Sequence, residues 1–150
     1  MARFRFRLEP LLKLRRAAKY ERRAQLAQAH DAQHILYDQH AAIADDLLAS
    51  RNASMRDSMP GIIDVDRLLN SHRYELVLEA QSAEIEKRQE QLAAEIDRRH
   101  ELLMEADREV KVLEKLKEKK LDAHRREQLA IEVKQMDEVG QRLRREVLHP

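Results

Sequence analysis

Apolar residues recur along this chain at alternating steps of three and four. In its second half Leu78, Ile85, Leu92, Arg99, Ala106 and Leu113 stand seven apart, and Ile96, Leu103 and Val110 fill the complementary positions. A heptad seam of this kind faces another helix rather than the interior of a globule. The first third carries a weaker version. Leu8, Leu12, Leu26, Ala29, Leu36, Ile43 and Leu47 share one frame, which Lys19, Arg22 and His40 interrupt. The pattern stops in one place, Asp57-Ser58-Met59-Pro60-Gly61. Proline has no N–H to donate and glycine accepts left-handed geometry, so a helix ends there. Asp64 or Asp66 can cap the next helix, and Pro10 is tolerated in a first turn. These signals predict helices over about 8–56 and 64–147, joined by a turn over about 57–63. At roughly 1.5 Å per residue they would be about 70 Å and 125 Å long. The expected fold is all-α: two long helices forming an antiparallel coiled-coil hairpin, the second longer than the first, in a single domain over residues 1–150.

Folding such a chain at about residue 60 sets residue 8 beside residue 112, with two consequences. The second helix overhangs the first by about 35 residues, yet the overhang is still amphipathic: Leu129, Val133, Met136, Gly140, Leu143 and Val147 step by four and three. A lone helix in water gains little from propensity, so this stripe calls for a partner. The second consequence concerns charge. The net charge of +1 conceals blocks of +7 over residues 1–23, −9 over 31–107, +4 over 108–126 and −1 over 127–150. In the hairpin the two basic blocks lie side by side. Their self-repulsion calls for an acidic partner.

Composition agrees with the pattern. Charged residues make up 38% of the 150 and aromatics 3%, which suits a stripe and not a thick core. The absence of cysteine excludes disulfides and thiolate metal sites, and fits a reducing compartment. No apolar run approaches the roughly 20 residues that span a bilayer. The basic start, Met1 to Arg7, lacks the apolar core of a signal peptide. The expected location is the cytoplasm.

Candidate chemistry is sparse. There is no phosphate-binding glycine loop and no nucleophile motif, and a two-helix hairpin offers no pocket to shift a carboxylate pKa. The expectation is a protein without catalytic residues, cofactor, metal or small-molecule substrate. His30 and His34 share a helical face with Asp31 beside them, a spacing that can bind metal. With no third ligand fixed nearby, a solvated face is the simpler reading. Arg3, Arg5 and Arg7 alternate with Phe4 and Phe6, as in single-strand nucleic-acid binding. The acidic residues elsewhere leave no extended basic face, so phenylalanines packed on the second helix are the simpler reading, and no nucleic-acid partner is expected. Two surfaces remain: the basic end with the overhang, centred on Val112 to Lys120, and the surface near the turn, where Leu36, His40, Ile43 and Leu47 approach Tyr74 and Leu78.

Two stretches carry a family resemblance. Phe4-Arg5-Phe6-Arg7-Leu8-Glu9-Pro10-Leu11-Leu12-Lys13-Leu14-Arg15 resembles the opening of the flagellar export protein FliJ, and Leu113-Glu114-Lys115-Leu116-Lys117-Glu118-Lys119-Lys120 resembles its second signature. Glu127-Gln128 and Met136-Asp137-Glu138 follow in matching order. Gly140, within the final helix, and the His-rich segment 30–40 depart from the pattern. The resemblance implies a component of the flagellar type III export apparatus. It implies an antiparallel coiled coil similar to the stalk of rotary ATPases, binding the hexameric export ATPase and the cytoplasmic domain of the export gate and escorting unloaded export chaperones. It would reach the inner face of the membrane through these partners only. By carry-over, Leu8, Leu11, Leu14, Arg15, Leu113, Leu116, Lys117 and Lys120 would face the ATPase. Leu36, His40, Ile43, Leu47, Tyr74 and Leu78 would face the gate. A virulence-secretion stalk, a nucleic-acid-binding coiled coil and a homodimer joined through its overhangs are the alternatives.

Overall fold

The computed structural model describes residues 3–148, so residues 1–2 and 149–150 of the expected 1–150 domain lie outside the described part. The fold is two helices with no strand among the described residues: α1, Glu9–Asp57, and α2, Val65–Leu148. Each boundary falls one residue from its expected place. Asp57 is the last residue of α1 because the chain then enters Ser58-Met59-Pro60-Gly61, with Gly61 at φ 155°, a conformation that side-chain-bearing residues rarely adopt. Of the two candidate caps, Asp64 is the one used, its Oδ1 accepting from the Arg67 N–H at 3.2 Å.

The two helices run antiparallel, and their contacts fall into two compact units. Unit 1 comprises residues 1–19 and 105–150; unit 2 comprises residues 20–104 and contains the turn. In unit 1 the buried residues are Leu12, Ala106 and Val110; in unit 2 they are Ala29, Leu78 and Ile85. All belong to the heptad frames read from the sequence. The interrupting residues stay in the frame as well: Lys19, Arg22, His40 and Arg99 are half-buried, with polar partners at the seam edge.

The register corrects one expectation. In unit 1 Glu9 pairs with Lys117, Lys19 with Asp107 and Arg15 with Glu109. A fold centred on residue 60 would place Glu9 beside residue 111. In unit 2 His40 meets Glu86 and Arg99 reaches Gln25, the same displacement along α2. The physical reason is the turn. α1 runs on to Asp57 and Asp64 caps α2, so the chain folds about its capped second helix start rather than at Pro60.

Unit 1 also has a feature outside the helices. Residues 3–6 lack helical structure and alternate in exposure, with Phe4 and Phe6 half-buried and Arg3, Arg5 and Arg7 exposed. This alternation is that of an extended segment lying along a surface. The Phe4 ring sits 5.6 Å from the His124 ring of α2. The arm therefore lengthens the paired part of α2, and the overhang is shorter than the expected 35 residues. From Leu129 to Leu148 every residue is exposed, while Gln128 is still half-buried. Gly140 does not interrupt this helix, which continues to Leu148.

Candidate functional site

Unit 1 gathers the signature residues onto adjoining turns of α1 and α2. Leu8, Leu11, Leu113 and Leu116 are half-buried along the seam. Leu14 points away from it and is 65% exposed. Arg15 pairs with Glu109 at 3.0 Å, Arg16 with Glu114 at 3.0 Å, Lys19 with Asp107 at 2.7 Å, and Lys117 with Glu9 at 2.7 Å. These pairs overturn the simple picture of two basic blocks repelling one another. Net block charges average over a helix, whereas the register sets acid opposite base at single positions flanking the seam. Arg3, Arg5, Arg7, Arg108, Lys115, Lys119, Lys120 and Arg126 form no ion pair among the described residues, and with Lys13, whose charge acts on Glu9, they dominate the remaining positive field of the basic blocks.

The ion pairs perturb their acids. Hydrogen bonds from Lys111 and Lys19 hold Asp107 down to about 2. The hydrogen bond from Lys117, with its charge, lowers Glu9. In unit 2 hydrogen bonds from Arg98 and Arg99 bring Glu95 down to about 2. All three acids are therefore ionised at neutral pH, the state in which a carboxylate serves as an ion-pair partner and not as a proton donor.

Beside the signature residues, the arm and α2 enclose an open cleft of about 640 Å³ lined by Phe4, Phe6, Leu116, Lys120 and His124 among others. Its walls are apolar and its rim basic. Past the arm, Leu129, Val133, Met136, Leu143 and Val147 continue the stripe with nothing packed on it, Val147 being 80% exposed.

Unit 2 does not bring the whole second group together: with His40 beside Glu86 and Arg51 beside Glu79, the displaced register leaves Leu47 nearest Leu78, while Leu36, His40 and Ile43 face α2 farther from the turn than Tyr74 and Leu78. Leu36, Ile43 and Leu47 are half-buried on the seam face of α1. Leu78 is 4% exposed and belongs to the interface between the helices. The His40 Nε2 lies 3.1 Å from Glu86 and 3.2 Å from the Ser82 hydroxyl. Tyr74 is exposed on the flank of α2 that also carries Val77. That flank borders a shallow apolar groove lined by Ala42, Ile43, Val77, Ala80 and Ile85. His30 and His34 are exposed, and no group of three or more His, Cys, Asp or Glu among the described residues is arranged to hold a metal ion. No helix among the described residues is long and apolar enough to cross a membrane.

Among the residues that the heptad pattern did not single out are Leu48, Met55, Met59, Ile62, Ile63, Val65, Leu69 and Leu76. All are exposed, at or near the turn. Their signal was present in the sequence as apolar residues off the heptad frame and inside a turn.

Antiparallel pairing of amphipathic helix segments in each unit, with the apolar stripe left open from Leu129 to Val147 and ion pairs flanking the seam, defines the class: a coiled-coil protein. Within that class, the family model described as Flagellar FliJ protein matches residues 4–147, and the chain belongs to this flagellar export-associated family. No match was found among curated proteins or among solved structures.

Proposed function

We propose that this chain is a non-enzymatic stalk and adaptor of the flagellar type III export apparatus. In this reading unit 1 engages the hexameric export ATPase through Leu8, Leu11, Leu14, Arg15, Leu113, Leu116, Lys117 and Lys120, together with the open stripe from Leu129 to Val147. Unit 2 meets the cytoplasmic domain of the export gate through the surface around Leu36, His40, Ile43, Leu47 and Tyr74, with Leu78 holding the two helices in place beneath it. The chain escorts unloaded export chaperones and so serves flagellar assembly and motility. It acts in the cytoplasm, reaching the membrane's inner face through its partners.

The observation that carries this reading is the bare stripe of Leu129, Val133, Met136, Leu143 and Val147 in a chain of the flagellar FliJ family. A helix with an apolar face and no internal partner gains its stability from another molecule. The match to the flagellar family favours the flagellar apparatus over a virulence secretion system.

Capture of the cognate export ATPase by the full chain, compared with a chain ending at Gln128, tests the reading. This truncation leaves every paired residue in place. Capture is expected to fall at least about tenfold, roughly 1.4 kcal/mol of binding. Undiminished capture removes the stripe from the ATPase interface. Leu14→Ser, at an exposed position, tests the signature region in the same assay without touching the seam.

A further inference from the structure

The turn of unit 2 presents apolar side chains where a solvated loop normally presents polar ones. Met59, Ile62, Ile63 and Val65 are exposed, Ile62 fully so. Leu48 and Met55 of α1 and Leu69 and Leu76 of α2, also exposed, carry the apolar surface away from the turn. Each of these four follows a seam residue by one position, after Leu47, Ser54, Leu68 and Glu75. Arg51 and Glu79 occupy the same flanks and pair at 2.8 Å, which places both flanks on one side. Tyr74 and Val77 precede seam residues and lie on the other side, with the shallow groove.

The turn is held in shape. The Ser58 hydroxyl donates to the Ser54 carbonyl at 2.7 Å, and the Met59 N–H donates to the Arg56 carbonyl at 3.3 Å. Arg67 pairs with Asp57 at 3.1 Å, joining the end of α1 to the start of α2. Asp64 accepts the Arg67 N–H through its side chain and the Leu68 N–H through its carbonyl. Gly61 supplies the one backbone conformation that other residues rarely adopt. These bonds tie the two shoulders of the turn, Ser58–Met59 and Asp64–Leu68, and so limit the backbone entropy that Ile62 and Ile63 between them lose on binding.

Charge and size narrow the occupant. Asp57 and Arg67 neutralise each other, as do Arg51 and Glu79, and Asp64 is engaged with backbone. That leaves Arg56 against Asp64, still charged, and Asp66, a net negative balance that does not attract an anionic membrane or a nucleic acid. A stable dimer needs roughly 20–30 residues a side. The turn and its side offer eight exposed apolar residues on the outside of a helix–turn–helix bend; two such bends facing one another cover only part of each, whereas a pocket closes around the tip and reaches residues on its flanks. A concave apolar pocket on a larger protein encloses such a tip.

We propose that the turn of unit 2, with Ile62 at its apex and Leu48, Met55, Leu69 and Leu76 along one side, is an anchor that inserts into an apolar pocket of the protein receiving unit 2, on a face separate from Tyr74. The proposal rests on the reading that this protein is the export gate, and the test separates the two.

The purified cytoplasmic domain of the export gate is titrated against the full wild-type chain, the double variant Ile62→Ser with Ile63→Ser, Leu69→Ser, and Tyr74→Ala, with helicity checked by far-UV circular dichroism. The expected result is binding by the wild type, weakened at least about tenfold in the double variant and several-fold in Leu69→Ser. Leu69→Ser, inside α2, keeps the test open if the turn variant loses helicity. Full-strength binding by the turn and Leu69 variants, with weakening by Tyr74→Ala, overturns the anchor and leaves the gate reading standing. No binding by the wild type overturns the gate reading and the anchor with it. Light scattering of the free chain supports the anchor if it reports a monomer. A dimer that the turn variant dissociates assigns the surface to a second copy and overturns the proposal, as does sedimentation with phosphatidylglycerol vesicles that the turn variant abolishes.

Discussion

At the residue scale, the seam of unit 2 is apolar only in part. Gln89 occupies a seam position between Ile85 and Leu92, and its Nε2 is buried with no hydrogen-bond partner. A buried donor without an acceptor carries its full desolvation cost. Gln89→Leu, similar in volume, is therefore expected to raise stability by about 1 kcal/mol in urea unfolding. Arg99 shows how a charged residue is tolerated in the same seam. Its guanidinium donates to the Gln25 carbonyl at 2.6 Å and to Glu95 at 2.8 Å, while its stem covers the apolar stripe. In unit 1 the charged residue in the frame is Lys19, and both it and Lys111 pair with Asp107. Those bonds hold Asp107 at about 2, below the usual aspartate value of 3.8. The folded state binds its proton less readily than the unfolded chain. Its contribution is therefore complete above about pH 3.8 and is lost as pH falls through about 2. In a thermal melt series Asp107→Asn is expected to melt below the wild type at pH 7, with the gap closing between about pH 4 and pH 2. A gap that persists at pH 2 removes the ion pair as its cause.

At the scale of elements, α1 and α2 follow from the same rule applied to unequal lengths. Each presents one stripe to the other, and neither is stable by propensity alone. The far end of α2 makes that dependence visible, because from Leu129 to Leu148 no residue is covered. Gly140 lies within this stretch, with open space around the place where a Cβ would stand. In a helix interior glycine costs about 1 kcal/mol relative to alanine. Gly140→Ala is thus expected to stabilise the helix locally by up to about 1 kcal/mol, seen as slower amide hydrogen exchange over residues 129–148. Unchanged exchange there means that this stretch has other means of support. The turn is the second element with a distinct character. Gly61, Pro60 and the Asp64 cap explain why it turns, but they do not explain Ile62 and Ile63. The anchor proposed above accounts for their exposure.

At the scale of the whole molecule, each unit buries only three residues well, so most of the paired surface is half-buried seam. Such a structure devotes few residues to its interior and many to its surface. Truncation after Gln128 follows at this scale: helicity per residue and the urea midpoint are expected to stay near wild-type values, because no buried residue is removed, while ATPase capture falls. A large drop in midpoint instead assigns the removed segment a structural role.

Most of the fold was legible from one observation, the three- and four-residue stepping of apolar positions. Leu12, Ala29, Leu78, Ile85, Ala106 and Val110 all stand in the heptad frames, and they are the hydrophobic residues buried among those described. The two signatures and their order were enough to point to the family. Periodicity reads one helix at a time, however, and carries no information on where the other helix stands. The tertiary structure decided the register, because the Asp57–Arg67 pair and the Asp64 cap set the fold point beyond Pro60. It showed the basic blocks of unit 1 interleaved with acids, because pairing depends on single positions and not on block sums. It laid Phe4 on His124 and so shortened the overhang. The sequence by itself determined that two unequal helices pair and that the longer one ends bare. Only the tertiary structure decided where the bare part begins and which side of the turn carries its exposed apolar residues, since both depend on contacts between residues far apart in the chain.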